Sequence, residues 1–258
     1  MNEAPLVSIV VPTFNRLNML SKTIESVLNQ TYKNLEIIVI NDYGEDAQIV
    51  VDTLNDCRIK YFNHEKNKGL GAARNTGIKN SSGKYICYLD DDDWYFPEHV
   101  RLLVEKMEAN DIHVIYSNAI QNMQTIQPNG FYTTIGRHMA YDVDFSKDLL
   151  LIQNITPVLC VMHRKDCLEK AGLFDEDFKA YEDWDLWIRI SRDHDFHHMR
   201  VATCEYTWRQ DGSTMSSSRS EFNTLLPTIY DRYKEFATLE TMKAQNSILE
   251  KRGLSRIA

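Results

Sequence analysis

Four consecutive aspartates, residues 90–93, directly follow a short apolar run at residues 85–89. A buried strand that ends in such a cluster brings several carboxylates to one point at the carboxyl edge of a sheet. Because like charges this close repel one another, the cluster is costly unless a cation or solvent neutralises it. Carboxylate oxygens suit Mg²⁺ or Mn²⁺, and Mg²⁺ is usually shared between one or two carboxylates and a substrate's phosphates. The tetrad therefore indicates either a metal–diphosphate site or a solvated acidic turn before a helix with Pro97 in its first turn.

The elements that must position this cluster alternate between strand and helix patterns over about the first 116 residues. Apolar runs predict strands at residues 7–11, 35–40, 59–62, 85–89 and 114–116. Helical patterns lie between them, and such alternation predicts an α/β fold with a mostly parallel sheet flanked by helices. In sheets of this kind, ligands lie beyond the carboxyl ends of the strands. Polar clusters follow Val11, Ile40 and Leu89, so we expect them to meet at that edge.

The second half of the chain is less regular. Residues 121–145 have few aliphatic side chains and much Gln, Asn, Thr and Tyr, which predicts a surface loop or an edge hairpin. Residues 157–162 are predicted as a strand and residues 183–190 as a helix. From Phe222 onward, apolar residues recur at helical spacing, which predicts a terminal helix packed on the domain.

Charge and cysteine content argue against several classes of protein. The chain has 258 residues and a formal net charge of −8, whereas nucleic-acid phosphates demand a basic face. Its five cysteines include no CxxC pair, which is typical of reduced thiols and not of disulfides or a zinc site. Residues 6–11 are too short for a signal-peptide core, and no apolar stretch reaches the roughly 18 residues of a membrane span. We expect a cytoplasmic protein, with association at the inner face of the membrane left open and the oligomeric state undetermined.

Several stretches, taken in order, resemble the family 2 glycosyltransferases and their GT-A nucleotide-sugar-binding fold. The matching stretches are residues 7–16, 26–32, 35–42, 67–75, 83–93 and 181–184. The resemblance is dense over residues 5–110 and sparse to about 215, and the ordered set favours the metal-site interpretation of the tetrad. It implies a glycosyltransferase domain at residues 1–218, with a nucleotide-sugar-binding half at 5–116 and an acceptor-binding half at 117–218. Residues 219–258 would form a C-terminal helical extension.

The activity that the resemblance implies is inverting transfer of a sugar from a UDP- or dTDP-sugar to a hydroxyl. Mn²⁺ or Mg²⁺ would be the cofactor. The acceptor would be a carbohydrate or a glycolipid, in the synthesis of a cell-surface polysaccharide or glycolipid. No nucleic-acid partner is expected.

The resemblance also implies roles for residues at the first strand ends. Pro12, Thr13 and Phe14 would line the base and ribose pocket, although Phe14 could instead pack in the core. Asp42 would accept the N3–H of uracil or thymine, or serve only as a turn residue. Arg74 would reach the base or the diphosphate, or form an ion pair with one of the aspartates.

Within the tetrad, Asp90 and Asp91 would serve the ribose and a metal-bound water, and Asp92 would ligate the metal. Asp93 is predicted to cap the next helix. Trp94 would either line the donor-sugar site or belong to the core.

The later motif Glu182-Asp183 matches the acidic pair that carries the family's catalytic base, and the base falls on Asp183. The alternative is an N-terminal carboxylate that stabilises a helix dipole. Glu182, Trp184 and Arg209 are candidate acceptor or phosphate contacts. The hydroxyls of residues 213, 214 and 216 could also close over phosphates, but this loop has no His to act as a metal ligand.

Two rival functions remain open. A sugar nucleotidyltransferase uses a similar sheet, but it needs a glycine-rich loop after the first strand, and residues 12–15 contain no glycine. A non-catalytic carbohydrate-binding domain of the same fold is the other alternative, and the presence of Asp92, Asp183 and Arg74 argues against it.

Overall fold

The computed structural model describes residues 4–128, 130–214 and 219–256. The strands are β1 (Val7–Thr13), β2 (Leu35–Asn41), β3 (Ile59–Asn63), β4 (Tyr85–Tyr88), β5 (Trp94–Tyr95), β6 (Val114–Ile126), β7 (Tyr132–Ala140), β8 (Val161–Arg164) and β9 (Phe196–Arg209). The helices are α1 (Leu17–Leu28), α2 (Gln48–Leu54), α3 (Leu70–Lys79), α4 (His99–Asn110), α5 (Lys147–Ile152), α6 (Leu168–Ala171), α7 (Glu182–Ser191), α8 (Arg219–Arg232) and α9 (Leu239–Lys251).

One mixed sheet forms the centre of the fold, in the order β3-β2-β1-β4-β8-β6-β9-β5, with β7 paired to β6. The strands β3, β2, β1 and β4 are mutually parallel, and β6 and β9 form a second parallel pair. Every residue of β1 and β2 is buried, which explains why their sequences are almost uninterrupted apolar runs. The predicted α/β fold with helices flanking the sheet is therefore confirmed.

The longest pairing in the sheet joins β6 to β9, strands separated by about eighty residues of sequence. It runs in parallel from Val114 opposite Phe196 to Gln124 opposite Arg209, with register shifts between Ser117 and Ala119. This pairing carries the carboxyl end of β9 to the aspartate tetrad.

The turn after β4 is fixed from the side by β9. The strand β5 pairs antiparallel with β9, Thr207 N donates to Asp93 Oδ1 at 2.9 Å, and Thr207 Oγ1 donates to the Asp92 carbonyl at 2.9 Å. Asp93 thus holds β9 and does not cap α4. That helix begins at His99 with Glu98 at its N-cap position, so the placement of Pro97 in the first turn was also wrong.

Several predictions in the second half are only partly confirmed. Residues 121–145 contain the edge hairpin of β6 and β7, but β6 extends to Ile126. The predicted strand at 157–162 is a 3₁₀ turn, Val158–Cys160, followed by β8. The helix predicted at 183–190 is confirmed as α7.

The C-terminal segment packs on the domain, as predicted, but it forms two helices, α8 and α9, and not one. The Tyr230 hydroxyl of α8 donates to the Ile152 carbonyl at 2.7 Å, and Gln245 Nε2 of α9 donates to the Leu151 carbonyl at 2.7 Å. The division of the chain at residue 218 stays a prediction, because residues 215–218 lie outside the described part. Within the described residues, none of the helices combines the length and the apolar character needed to cross a bilayer.

Candidate active site

A cavity of about 1140 Å³ opens at the carboxyl ends of the parallel strands. It is lined from the ends of β1, β2 and β4, as the positions of the polar clusters predicted, and also from the beginning of α7. The predicted site residues that line it are Pro12, Thr13, Phe14, Asp42, Arg74, Asp90, Asp91, Asp92, Glu182 and Asp183.

The end of β1 is tied to the tetrad through Asp91. Thr13 Oγ1 donates to Asp91 Oδ2 at 2.7 Å, and the Phe14 backbone N–H lies 3.4 Å from the same oxygen. Phe14 is 45% exposed and lines the cavity, so its core-packing alternative is wrong. An exposed ring at a rigid strand end offers a face on which a flat base can stack.

Asp42 follows β2 and holds the loop that opens α3. Its two carboxylate oxygens accept the backbone N–H groups of Lys68 at 2.8 Å and Gly69 at 2.7 Å. Gly69 has φ +94°, a conformation that favours glycine. His64 Nδ1 also lies 2.7 Å from Asp42 Oδ1. Sequence reasoning missed His64, although a polar residue directly after β3 lies at the same edge of the sheet.

Arg74 is buried in the second turn of α3, where it joins two acidic groups. Its Nη2 donates to Asp90 Oδ1 at 2.7 Å, and its Nη1 pairs with the Glu182 carboxylate. Burial disfavours the charged form, but the adjacent Asp90 and Glu182 carboxylates outweigh it and raise the pKa of the Arg74 guanidinium. The predicted ion-pair alternative is therefore realised, and Arg74 connects the tetrad to the acidic pair of α7.

Asp92 lies between two arginines. Its Oδ2 accepts from Arg209 Nη1 at 3.0 Å and lies 3.3 Å from Arg16 Nη1, which also reaches Asp91 at 3.2 Å. Burial raises the pKa of Asp92, although both arginines oppose this, and burial raises the pKa of Asp91 to about 6. Sequence reasoning gave Arg16 no role, but its place just beyond the end of β1 could have identified it.

The donor set around Asp92 is compatible with a divalent cation that arrives with a diphosphate. In the described residues, no group of three or more His, Cys, Asp or Glu side chains is arranged to hold a metal on its own. Mg²⁺ is commonly bound by one or two carboxylates plus substrate phosphates and water, so a preformed cage of protein ligands is not required. Asp92 lines the cavity and supplies such a carboxylate.

The acidic pair at the start of α7 faces the same cavity. Asp183 Oδ1 accepts the Trp184 backbone N–H at 2.7 Å, and its Oδ2 accepts from Asn154 Nδ2 at 3.0 Å. Burial raises the pKa of Asp183 and raises that of Glu182 to about 7. A carboxylate with a raised pKa is a better proton acceptor near neutral pH than an exposed one. Asn154 lies before the 3₁₀ turn and had no sequence signal.

The remaining predicted contacts lie outside the cavity wall. Trp184 is 1% exposed, and its indole N–H donates to the Leu150 carbonyl at 2.6 Å, so it packs in the core and contacts neither acceptor nor phosphate space. Trp94 is half-buried in β5 and does not line the cavity. Arg209 is buried behind Asp92, with Tyr132 4.8 Å from its guanidinium.

The loop after β9 approaches the cavity from the Arg16 side. The Ser213 carbonyl accepts from Arg16 Nη2 at 3.0 Å, and Thr214 lines the cavity. The predicted phosphate contact from Ser216 lies outside the described residues. The Thr214 hydroxyl accepts the backbone N–H of Arg209 at 3.4 Å, and the Ser213 hydroxyl lies 3.2 Å from that of Tyr132.

Comparison with known proteins places this geometry in a family. The sequence model described as Glycosyl transferase family 2 matches residues 8–168. The GalNAc(5)-diNAcBac-PP-undecaprenol beta-1,3-glucosyltransferase of Campylobacter jejuni is 30% identical over 226 residues, which cover 86% of this chain and 71% of that protein. The UDP-Glc:alpha-D-GlcNAc-diphosphoundecaprenol beta-1,3-glucosyltransferase WfgD of Escherichia coli is 30% identical over 215 residues, 83% of this chain and 81% of that protein.

Other relatives are much longer than this chain. An uncharacterised glycosyltransferase of Rickettsia bellii is 38% identical over 188 residues, which cover 72% of this chain but only 26% of that protein.

Solved structures share the fold. S. aureus TarS 1-349 in complex with UDP-GlcNAc aligns with a TM-score of 0.67 at 21% identity, covering 95% of this chain and 70% of that chain. The mannosyltransferase PcManGT from Pyrobaculum calidifontis, in complex with GDP-Man and Mn²⁺, aligns with a TM-score of 0.69 at 16% identity, covering 91% of this chain and 65% of that chain. These alignments confirm the predicted GT-A-type α/β fold.

Proposed function

This chain belongs to the family 2 glycosyltransferases, and from that premise we propose that it transfers a sugar from a UDP- or dTDP-sugar to an acceptor hydroxyl with inversion. The observation that carries the proposal is the arrangement of two acidic groups around one cavity. The tetrad follows β4, the Glu182-Asp183 pair begins α7, and Arg74 bridges Asp90 and Glu182. The tetrad would hold the cation that binds the departing diphosphate, and the Glu182-Asp183 pair would accept the proton of the attacking hydroxyl.

On the donor side, the base would stack on the exposed ring of Phe14, and Asp42 would accept from its N3–H. The TarS complex with UDP-GlcNAc supports a UDP-sugar in a fold of this kind. Arg16, which lines the cavity and pairs with Asp91 and Asp92, would lie next to the incoming diphosphate, and Arg209 would support Asp92 from behind.

The proposed cofactor is Mn²⁺ or Mg²⁺, held by Asp92 together with the diphosphate. The Mn²⁺ in the Pyrobaculum structure supports this choice. A divalent cation at this position would neutralise negative charge on the leaving group.

On the acceptor side, Asp183 is the proposed general base. The acceptor hydroxyl would give its proton to the Asp183 carboxylate as its oxygen bonds to the anomeric carbon. The bond from that carbon to the diphosphate would break on the opposite face, and the electron pair would leave with the diphosphate. A single displacement of this kind inverts the configuration, and Asn154 keeps the carboxylate oriented during the step.

The proposed pathway is the synthesis of a cell-surface polysaccharide or glycolipid, at the cytoplasmic face of the membrane. The names of the Campylobacter and E. coli relatives support it, because both describe sugars carried on undecaprenol through phosphate groups.

The test is a panel of nucleotide sugars, first screened by thermal stabilisation with and without Mn²⁺. The best donor is then assayed for slow hydrolysis and for transfer to simple glycosides. We expect metal-dependent release of the nucleoside diphosphate, absent in Asp92→Ala. Release of pyrophosphate from UTP and a sugar phosphate would favour a nucleotidyltransferase instead. Binding without turnover in any condition would favour a non-catalytic domain.

A further inference from the structure

Two cationic side chains of the cavity, Lys251 and Arg252, do not pair with the aspartates of the donor site. Among the described residues, its cationic lining consists of Arg16, Arg74, Lys251 and Arg252. Arg16 forms ion pairs with the tetrad, and Arg74 forms ion pairs with the tetrad and with Glu182. Neither Lys251 nor Arg252 forms an ion pair with a carboxylate among the side chains that the structure describes, which are those outside residues 1–3, 129, 215–221 and 257–258.

These two cations line the same cavity as Asp183, the proposed base. Arg252 Nη1 donates to Asn223 Oδ1 at 3.3 Å, and the positive charge of Arg252 opposes the burial that raises the pKa of Tyr181. Tyr181 is the N-cap residue of α7, directly before Glu182 and Asp183, and its ring packs edge-on against Phe222 with ring centroids 4.9 Å apart. The end of α9 therefore presents positive charge to the cavity that the acidic pair also lines, on residues that follow the region matched by the family model.

Charge balance indicates what these cations bind. The cavity is lined by seven carboxylates, those of Asp42, Asp90, Asp91, Asp92, Asp93, Glu182 and Asp183. A neutral sugar acceptor needs no cation to approach them, whereas an anionic acceptor is repelled unless positive charge lies on its path. The donor diphosphate would already have Arg16 and the cation held by Asp92 as partners.

We propose that Lys251 and Arg252 form a second anion site, which binds a phosphate or diphosphate group on the acceptor and so selects phosphate-linked glycolipids over neutral glycans. This inference rests on the proposed function and names its acceptor class. The acceptor sugar lies between Asp183 and the two cations, with its hydroxyl at the carboxylate and its phosphate at the end of α9. No covalent step occurs at this second site.

The experiment measures binding of farnesyl diphosphate, a short phosphate-bearing lipid, by calorimetry with UDP and Mn²⁺ held at saturation. Saturating UDP blocks the donor diphosphate site, and farnesol serves as the neutral counterpart. The variants are Lys251→Glu, the double variant with Arg252→Glu, and Lys243→Glu. Lys243 is the matched control, because it is an exposed lysine of the same helix that does not line the cavity.

We expect Lys251→Glu to raise the dissociation constant for farnesyl diphosphate about tenfold, and the double variant more, since each removes a charged contact and adds a repulsive one. Lys243→Glu should change it less than about twofold, and raised ionic strength should weaken wild-type binding. Affinity for UDP should stay constant across all three variants, which also shows that each is folded.

Three results would overturn the second anion site. The first is a dissociation constant for farnesyl diphosphate that does not change in the double variant. A parallel loss of UDP affinity would assign the cations to the donor. Loss of binding to phosphatidylglycerol vesicles, with farnesyl diphosphate binding intact, would assign them to lipid headgroups. Failure of the proposed function is separate: wild-type protein would then bind no nucleotide sugar at all.

Discussion

The two halves of the cavity hold their charged groups differently. In the donor half, Asp42 and Asp91 each have several hydrogen-bond partners. Asp42 contacts two backbone N–H groups and His64, and Asp91 accepts from Thr13 and Arg16. On the side of the cavity lined by α7 and the end of α9, which we call the acceptor half of the cavity, Asp183 accepts from Asn154 and its own helix. Among the described side chains there, Lys251 and Arg252 have no carboxylate partner. The proposed donor always carries the same nucleoside diphosphate, so its site can be rigid. Acceptors vary between enzymes of this family, so side chains with few internal partners can bind them.

The largest expected effect is on kcat and comes from replacing the proposed base in α7. Asp183→Asn should lower kcat by about 10²–10⁴-fold, because an amide cannot take the proton, while donor affinity and Tm stay close to those of the wild type. Transfer rates and UDP binding are measured on the same preparations.

Asp185→Asn is the matched control for that substitution. Asp185 is fully buried and accepts from Tyr233, Arg189 and Arg232, so its variant should lose stability while the folded fraction keeps its kcat. Retained turnover in Asp183→Asn would assign the base to another residue.

The bridge between the two halves should be the most sensitive point for stability. Arg74→Met leaves the carboxylates of Asp90 and Glu182 without their partner, and breaking a buried pair in this way costs about 3–5 kcal/mol of unfolding free energy. Urea denaturation measures the change. Arg101→Met, which removes an exposed arginine of α4 paired to Glu98 and Glu105, should alter stability little. Equal effects of the two would mean that the buried triad does not hold the halves together.

Tight packing in the donor half is tested at Gly77, which faces β1. A Cβ there would lie 2.3 Å from Val10 Cγ1, and a branched side chain on a buried strand cannot move aside. Gly77→Ala should cost about 1–3 kcal/mol of unfolding free energy. In β7, Gly136→Ala meets nothing closer than 3.4 Å and should cost much less. Similar losses at both positions would contradict the close packing of Gly77 against β1.

The smallest effect concerns pH. Asp183 must be ionised to act as a base, so kcat should fall as pH falls through its pKa, which burial raises above the ordinary value. The Asn154 amide opposes that rise by donating to the carboxylate. Asn154→Ala should therefore move the acid limb of the kcat profile up by about one pH unit. If the acid limb stays in place or moves to lower pH, Asn154 does not lower the pKa of the catalytic base.

The donor half could be predicted from sequence because its signals are local. The apolar runs of β1 and β2 and the helical spacing of α1 are each contained in a few residues, and polar residues after parallel strands must meet at one edge. Phe14, Asp42 and the tetrad were therefore placed correctly in the cavity. Arg16 and His64 carry the same positional signal and were overlooked.

The acceptor half resisted prediction because its contacts join distant segments. The strand β9 mixes apolar, polar and charged residues, and its partner β6 lies about eighty residues earlier, so no short window shows the pairing. Trp184 was misplaced because the next position on a helix turns about 100° away from Asp183, into the core. Asn154 and Lys251 reach the cavity only through tertiary packing.

The central claim is that the rim of the parallel sheet binds a nucleoside diphosphate together with a divalent cation. The most direct measurement is a crystal structure of the protein with UDP and Mn²⁺, with the cation located by its anomalous signal. We predict uracil against the Phe14 ring and the cation bound to Asp92 and the diphosphate. UDP bound away from this rim, or a cation that does not contact Asp92, would contradict it.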